Sequence, residues 1–314
     1  MFFRTILPGV AAAALLALSI RFSTAAPTLK IRDTSSTEAI STLTDDQTNN
    51  FIKPALFAQI AYCSPPAVLS WNCGAPCEEL AGVVPISGGG NDGTIPFYYV
   101  AHDTTAQSIV VTHQGTDSSN PLSVINDAEI ILEPLDQTLF PGVDSSIETH
   151  DGFAKTFART ANDILGNVTA ALKANNLNKV EVHGHSLGAA IAVMDAVFLR
   201  QHLDPNVTIS TTVFGLPRGG NQAWANLVDQ STPGLVHIHN KNDPVGTVPP
   251  RFLDYQHPSG EVHIQADNSS VNCPGQENQD SECIDGQSIL NTSVDDHFGP
   301  YYANISMGHS FCPL

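Results

Sequence analysis

The sequence has 314 residues, 42% of them hydrophobic, with 13 basic against 31 acidic side chains and a formal net charge of −18. So acidic a chain repels nucleic acid and anionic membrane surfaces, which excludes both as electrostatic partners. The length is large for one domain, yet α/β enzymes of this size are commonly built round a single sheet.

The chain opens on Arg4, an apolar run from Ile6 to Ile20, and small residues Ser23 to Ala26. That order is the charged, apolar and small-residue plan of a secretory signal peptide. A cut after Ala25 makes residues 1–25 the signal, and Arg21 ends an apolar run too short for an anchor. No later run is long and apolar, so no integral membrane segment is expected in the mature chain. Residues 26–43 read as a flexible lead-in or propeptide, with Lys30-Ile31-Arg32 as a candidate second cut, and 44–314 as one domain. The 6 cysteines, Cys63, Cys73, Cys77, Cys273, Cys283 and Cys312, point to disulfides in an oxidising compartment rather than to a metal. Spacing alone does not pair them. Sequons at Asn167, Asn206, Asn268, Asn291 and Asn304 are compatible with glycosylation.

Thr44-Asp45-Asp46-Gln47 has the form of a capping box ahead of a helix through Phe51, Leu56 and Ile60, with Pro54 near its start. Three strands follow, Gly82–Ile86, Ile95–Ala101 and Ser108–Thr112, with a turn at Gly88–Gly90. Apolar residues at helical spacing then predict one helix over Phe153–Asn175. Beyond it come strand Val180–His183, helix Leu187–Leu203, strand Val207–Phe214, helix Asn221–Asp229 and strand Leu235–His239. Such alternation predicts an α/β fold, a mostly parallel central sheet with helices on both faces. The stretch from Asn268 to Gly286 reads as polar loop.

Gly184-His185-Ser186-Leu187-Gly188 fits the nucleophile-elbow pattern G-x-S-x-G, with a strand before it and an apolar helix after it. Ser186 is therefore the candidate nucleophile. The N–H of Leu187 opens the helix and is a candidate oxyanion donor, and the N–H of Thr116, after strand Ser108–Thr112, is its candidate partner. A serine hydroxyl needs a base, and the base needs an acid to orient it. The chain order of this fold type is serine, acid, histidine. Asp243 fits the acid, because it follows a strand end, whereas Asp204 and Asp229 read as helix-end or surface acids. The bases available after it are His257, His263, His297 and His309, among which spacing does not choose. The acids beside His297, Asp295 and Asp296, read as solvated charges. This chemistry calls for no cofactor and no metal.

Several blocks in order resemble the class 3 family of fungal extracellular lipases, which also contains feruloyl esterases. They are Gln114-Gly115-Thr116, His150-Asp151-Gly152-Phe153, the Gly184–Gly188 elbow, Phe214 to Asn221, Asn240 to Pro250, and Asp296-His297-Phe298. The resemblance implies an α/β-hydrolase fold, a triad of Ser186, Asp243 and His297, and an oxyanion hole from Thr116 and Leu187. It further implies disulfides Cys63–Cys312, Cys73–Cys77 and Cys273–Cys283, and a structural role for His257. Gln114 stands where the family usually has arginine, which puts the ion pair of that place in doubt.

The resemblance also makes the segment after Thr116 a lid, with Leu122, Val124 and Ile125 as its apolar face. Leu135, Leu139 and Phe140 are then candidates for an acyl groove, whereas Ile130 to Leu132 read better as core strand. An apolar lid favours a lipid ester at an oil–water interface, hence a lipase acting on triacylglycerols, over a short-chain or feruloyl ester. A silent hydrolase fold serving as a secreted binding protein is the reading from another class.

Overall fold

The computed structural model describes residues 39–91, 94–116, 122, 130–288 and 290–312. The expected signal peptide, most of the expected lead-in, and Val124 and Ile125 of the expected lid lie outside them. In chain order the elements are β1 (Ser41–Thr42), α1 (Asp45–Asn49), α2 (Ile52–Ile60), α3 (Pro65–Leu69), α4 (Ala75–Glu79), β2 (Val83–Gly89), β3 (Tyr98–Asp103) and β4 (Ser108–His113). Then come β5 (Leu132–Pro134), β6 (Glu148–His150), α5 (Asp151–Ala158), α6 (Ala161–Asn175), β7 (Lys179–His185), α7 (Leu187–His202), β8 (Thr208–Phe214), α8 (Gln222–Ser231), β9 (Val236–Asn240), β10 (Glu261–Ile264), β11 (Ser270–Cys273) and α9 (Val294–Phe298).

Among the described residues, 9 strands form one sheet in the order β1-β11-β10-β9-β8-β7-β4-β3-β2. The five central strands, β4, β7, β8, β9 and β10, run parallel, and both edges are antiparallel. Successive side chains point to opposite faces, so each central strand feeds two cores. Ile109 and Val111 enter the core beneath α5 to α8, whereas Val110 enters the core beneath α2. Tyr98 and Val100 divide from Tyr99 and Ala101 in the same way. Strands buried on both faces usually carry continuous apolar runs. Among the five central strands only Ile109–Val111 of β4 does so here, whereas β7, β9 and β10 also bury His183, His237, His239, Glu261 and His263.

Several boundaries differ from expectation. The capping box forms, with Thr44 accepting from the Gln47 N–H, but it caps only the short α1. A second helix, α2, starts at Ile52 and takes Pro54 in its first turn. The stretch Phe153–Asn175 is two helices, since the chain turns at Arg159 and Thr160 before α6. The expected turn at Gly88–Gly90 is corrected in part, because Gly88 and Gly89 still pair with Tyr99 and Tyr98. A Cβ on Gly88 would meet the Tyr98 carbonyl at 2.9 Å, so glycine there serves close strand approach rather than turning. Both polar stretches read as loop hold strand: Ser41–Thr42 pairs with β11, and β11 pairs with β10. Backbone pairing does not need apolar side chains, so edge strands of this kind leave little periodicity to read.

The three disulfides present are Cys63–Cys312, Cys73–Cys77 and Cys273–Cys283. Among the described residues, no helix is long and apolar enough to cross a membrane.

Candidate active site

The parallel strands end on one side of the sheet, and the chemistry gathers there. Ser186 sits between β7 and α7 with φ 59° and ψ −128°, a conformation that a residue with a side chain holds only under constraint. Its N–H donates to the Phe214 carbonyl at 3.0 Å. The flanking glycines show why the turn is possible. A Cβ on Gly184 would lie 2.3 Å from the Gly188 carbonyl oxygen, and one on Gly188 would lie 2.5 Å from the carbonyl oxygens of His113 and Gln114. Any larger residue would push the helix off the sheet.

Asp243 and His297 arrive from different elements. Asp243 follows β9, with its Oδ1 accepting from the Val245 N–H at 2.8 Å. His297 lies on α9, whose N-cap Ser293 accepts from the Asp296 N–H. The two side chains meet at 2.9 Å, His297 Nδ1 donating to Asp243 Oδ2, and both are buried. A donating Nδ1 leaves the lone pair of a neutral imidazole on Nε2. That Nε2 and the Ser186 Oγ are both buried polar atoms without a hydrogen-bond partner. His297 is held next to the elbow, because its carbonyl accepts from His185 Nε2 at 2.8 Å and the two rings stand 4.4 Å apart. Gly215, directly after β8, leaves the room: a Cβ there would come within 2.7 Å of the His297 ring.

The other histidines are engaged elsewhere. His257 donates from Nε2 to the Gly246 carbonyl at 2.8 Å and stacks on His237, the structural place expected of it. His263 bonds the Lys241 and Glu282 carbonyls at 2.7 Å each. His309 bonds the Tyr62 carbonyl and accepts from Gln114 Nε2 at 3.1 Å. Gln114 also accepts from the Phe97 N–H at 3.0 Å, so a neutral bridge stands where an arginine ion pair was in doubt. Thr116 follows at the end of that segment. Gly115 packs so closely on the elbow that a Cβ would lie 2.9 Å from the Ser186 Cβ. Leu187 is the first residue of α7 and half-buried.

Some supporting residues were not foreseen. Tyr62 donates its hydroxyl to His185 Nδ1 at 2.6 Å, which fixes the tautomer that lets Nε2 donate to His297. Burial, then the nearby His297, pushes His185 well below the usual histidine range, so it stays neutral in this role. Tyr301 adds a second donor to the His297 carbonyl at 2.9 Å. Asp295 is exposed, as expected, whereas Asp296 is half-buried: its Oδ2 accepts from the Asn242 N–H at 3.2 Å, and its carbonyl accepts from Asn240 Nδ2 at 2.9 Å. These bonds join the Asp243 loop to the helix that carries His297. No periodicity announces them, since each partner is far away in sequence.

The expected acyl groove is also revised. Leu135, Leu139 and Phe140 are buried in the core beneath α5 to α8, where Phe140 packs on Phe157 and Phe198. Ile131 instead is 44% exposed, and Ile130 and Leu132 are half-buried. The short β5–β6 ribbon lies apart from the main sheet and does not cover these three as a central strand would be covered. Leu122, the one described residue of the expected lid face, packs half-buried against the same core.

Residues 110–253 match the family model described as Lipase (class 3). A secreted mono- and diacylglycerol lipase of Malassezia globosa is 30% identical over 277 residues, covering 84% of either chain. The chain belongs to the class 3 lipase family. Another such relative, from Malassezia restricta, is 32% identical over 209 residues, and the match spans 65% of that protein's length. Among solved structures, lipase II from Rhizopus niveus is similar with a TM-score of 0.75 and 26% identity, over 86% of this chain and 99% of that one. The lipase from Rhizopus microsporus var. chinensis follows at 0.74 and 27%, over 88% and 93%. The fold of this class 3 family member is accordingly the α/β-hydrolase fold, with the largely parallel sheet described above.

Proposed function

We infer that the protein is a secreted serine carboxylic ester hydrolase, a lipase that cleaves acylglycerols through an acyl-enzyme. The observation that carries this reading is a buried imidazole, tied at Nδ1 to Asp243, whose Nε2 shares the elbow with an equally unpartnered Ser186 Oγ. Apo hydrogen bonds of such pairs commonly close only when substrate is bound. In the reaction, Ser186 Oγ attacks the ester carbonyl while His297 Nε2 takes its proton. Asp243 holds the ring and stabilises the imidazolium. The N–H groups of Thr116 and Leu187 receive the oxyanion, each contributing about 2.7–4 kcal/mol to the transition state. His297 then returns the proton to the departing alcohol, and water repeats the sequence on the acyl-enzyme.

The substrate is a lipid ester presented at an oil–water interface. The relatives named as mono- and diacylglycerol lipases support a second form of this reading, in which partial glycerides are preferred to triacylglycerols. A phosphonate ester is expected to label Ser186, and Ser186→Ala to lose roughly 10⁶-fold in kcat without losing its fold. Rates on p-nitrophenyl acetate to palmitate, methyl ferulate, and tri- and dioctanoin then separate the substrate classes. Turnover confined to acetate or ferulate would remove the lipase reading, and unaltered turnover in Ser186→Ala would remove the mechanism.

A further inference from the structure

His113 and Asp195 take no part in the proton relay, yet they join the two elements that carry the oxyanion donors. His113 ends β4, shortly before Thr116, and by strand alternation its side chain shares a face with Ile109 and Val111. Asp195 lies on α7, where every residue from Gly188 to Leu199 is buried and Asp195 is the acid among them. His113 Nε2 donates to Asp195 Oδ2 at 2.5 Å, with the two residues 1% and 0% exposed. The other carboxylate oxygen, Oδ1, has no partner. Burial raises the Asp195 carboxyl above its usual range and His113 opposes that rise. An acid in an apolar helix interior is costly unless it is paired and hydrogen-bonded, and this one has a single directional partner.

The placement of the pair suggests what the cost is for. Gly188 and Asp195 are two helical turns apart and so lie on one face of α7. At Gly188 the first turn of the helix rests on the backbone of His113 and Gln114, where a Cβ would lie 2.5 Å from both carbonyl oxygens. The end of β4 and α7 therefore meet at two heights. The glycine contact sets their separation, and the imidazole–carboxylate bond keeps the helix from sliding or rotating on the strand. The geometry points to His113 and Asp195 as a positioning pair that fixes the N–H of Thr116 relative to the N–H of Leu187, and so the spacing of the oxyanion hole. Neither side chain touches the reacting atoms. The pair acts through the backbone on which the two donors ride, and it rests on the assignment of those donors made above.

The test compares Asp195→Asn, whose amide oxygen still accepts from His113, with Asp195→Leu, which removes the bond. Active sites are counted by phosphonate labelling of Ser186, and rates are read well below each variant's Tm. Asp195→Leu is expected to lose about 30-fold or more in kcat per labelled site with KM within about twofold, since loss of a whole oxyanion donor costs roughly 10²–10³-fold. Its affinity for an alkyl boronic acid, a tetrahedral anion on Ser186, should fall in parallel. Asp195→Asn should keep kcat within about threefold. If Asp195→Leu does not fold, the double variant His113→Phe/Asp195→Leu removes both polar partners together, leaves no buried charge, and is held to the same expectation. Wild-type kcat per labelled site in the variant lacking the bond, or equal losses in Asp195→Asn and the leucine variant, would overturn the pair. Failure of the wild-type enzyme to label at Ser186 would instead remove the hydrolase reading beneath it.

Discussion

A single hydroxyl illustrates how far the site depends on residues outside Ser186, Asp243 and His297, the three side chains proposed to react. Tyr62 supplies the donor that holds His185 as the Nε2–H tautomer, and His185 in turn supports the His297 carbonyl. Tyr62→Phe removes the donor and leaves a buried ring nitrogen unsatisfied, a loss of about 1–3 kcal/mol. Because His185 acts on the backbone of the base, kcat is expected to fall about tenfold while KM stays within about twofold, if roughly 1.4 kcal/mol of that loss reaches the transition state. An unchanged kcat in steady-state assays would show that Tyr301 alone secures the carbonyl.

Between elements, the closest dependence is covalent. Cys63, directly after Tyr62, is bonded to Cys312 across a sequence separation of 249 residues. His309, near that second cysteine, bonds both the Tyr62 carbonyl and the Gln114 side chain. The C-terminal segment is thus fastened beneath the base support and beneath the strand end that leads to Thr116. Closing so long a loop contributes roughly 5 kcal/mol in the chain-entropy account. Cys63→Ser/Cys312→Ser is therefore expected to lower Tm by about 10 °C or more and to lower kcat even where the fold persists. The pair Cys273→Ser/Cys283→Ser, which closes a separation of only 10 residues away from these contacts, should lower Tm less and spare kcat. Calorimetry and ester turnover on the two double variants give the comparison, and equal effects on kcat would contradict it.

Across the whole molecule, buried histidines set the response to acid. Burial is the main cause in each case: His150 is lowered to about 4, and His237 and His257 to about 3, from an ordinary 6.5. His185 and His239 are held well below the ordinary value by the same cause. The unfolded chain binds protons near pH 6.5 that the folded chain refuses, so their contribution to stability is complete above 6.5 and is lost as pH falls toward 3. Glu261 works the other way, since burial raises it from 4.5 to about 8 and its contribution is lost as pH rises through that window. Five histidines outweigh one glutamate. Tm is expected to drop by at least about 10 °C between pH 6.5 and pH 4, at roughly 2–4 °C per kcal/mol, and a flat profile in scanning calorimetry would refute the burial argument.

The elbow and the alternation of strand and helix were legible in the sequence, because each has a local cause. Glycines flanking Ser186 allow the turn, and stretches rich in valine, isoleucine and threonine mark the central strands. Spacing left four histidines open as the base, the family resemblance named His297 among them, and Leu135, Leu139 and Phe140 were candidates for a groove. Only the tertiary structure decided that, of the four candidate histidines, His297 meets Asp243, that those three residues are core, and that Asp296, Tyr62 and Tyr301 support the His297 segment. The physical reason is range: propensity and periodicity act over a few neighbouring residues, whereas a hydrogen bond between side chains far apart in the chain exists only once the sheet has brought its strand ends together.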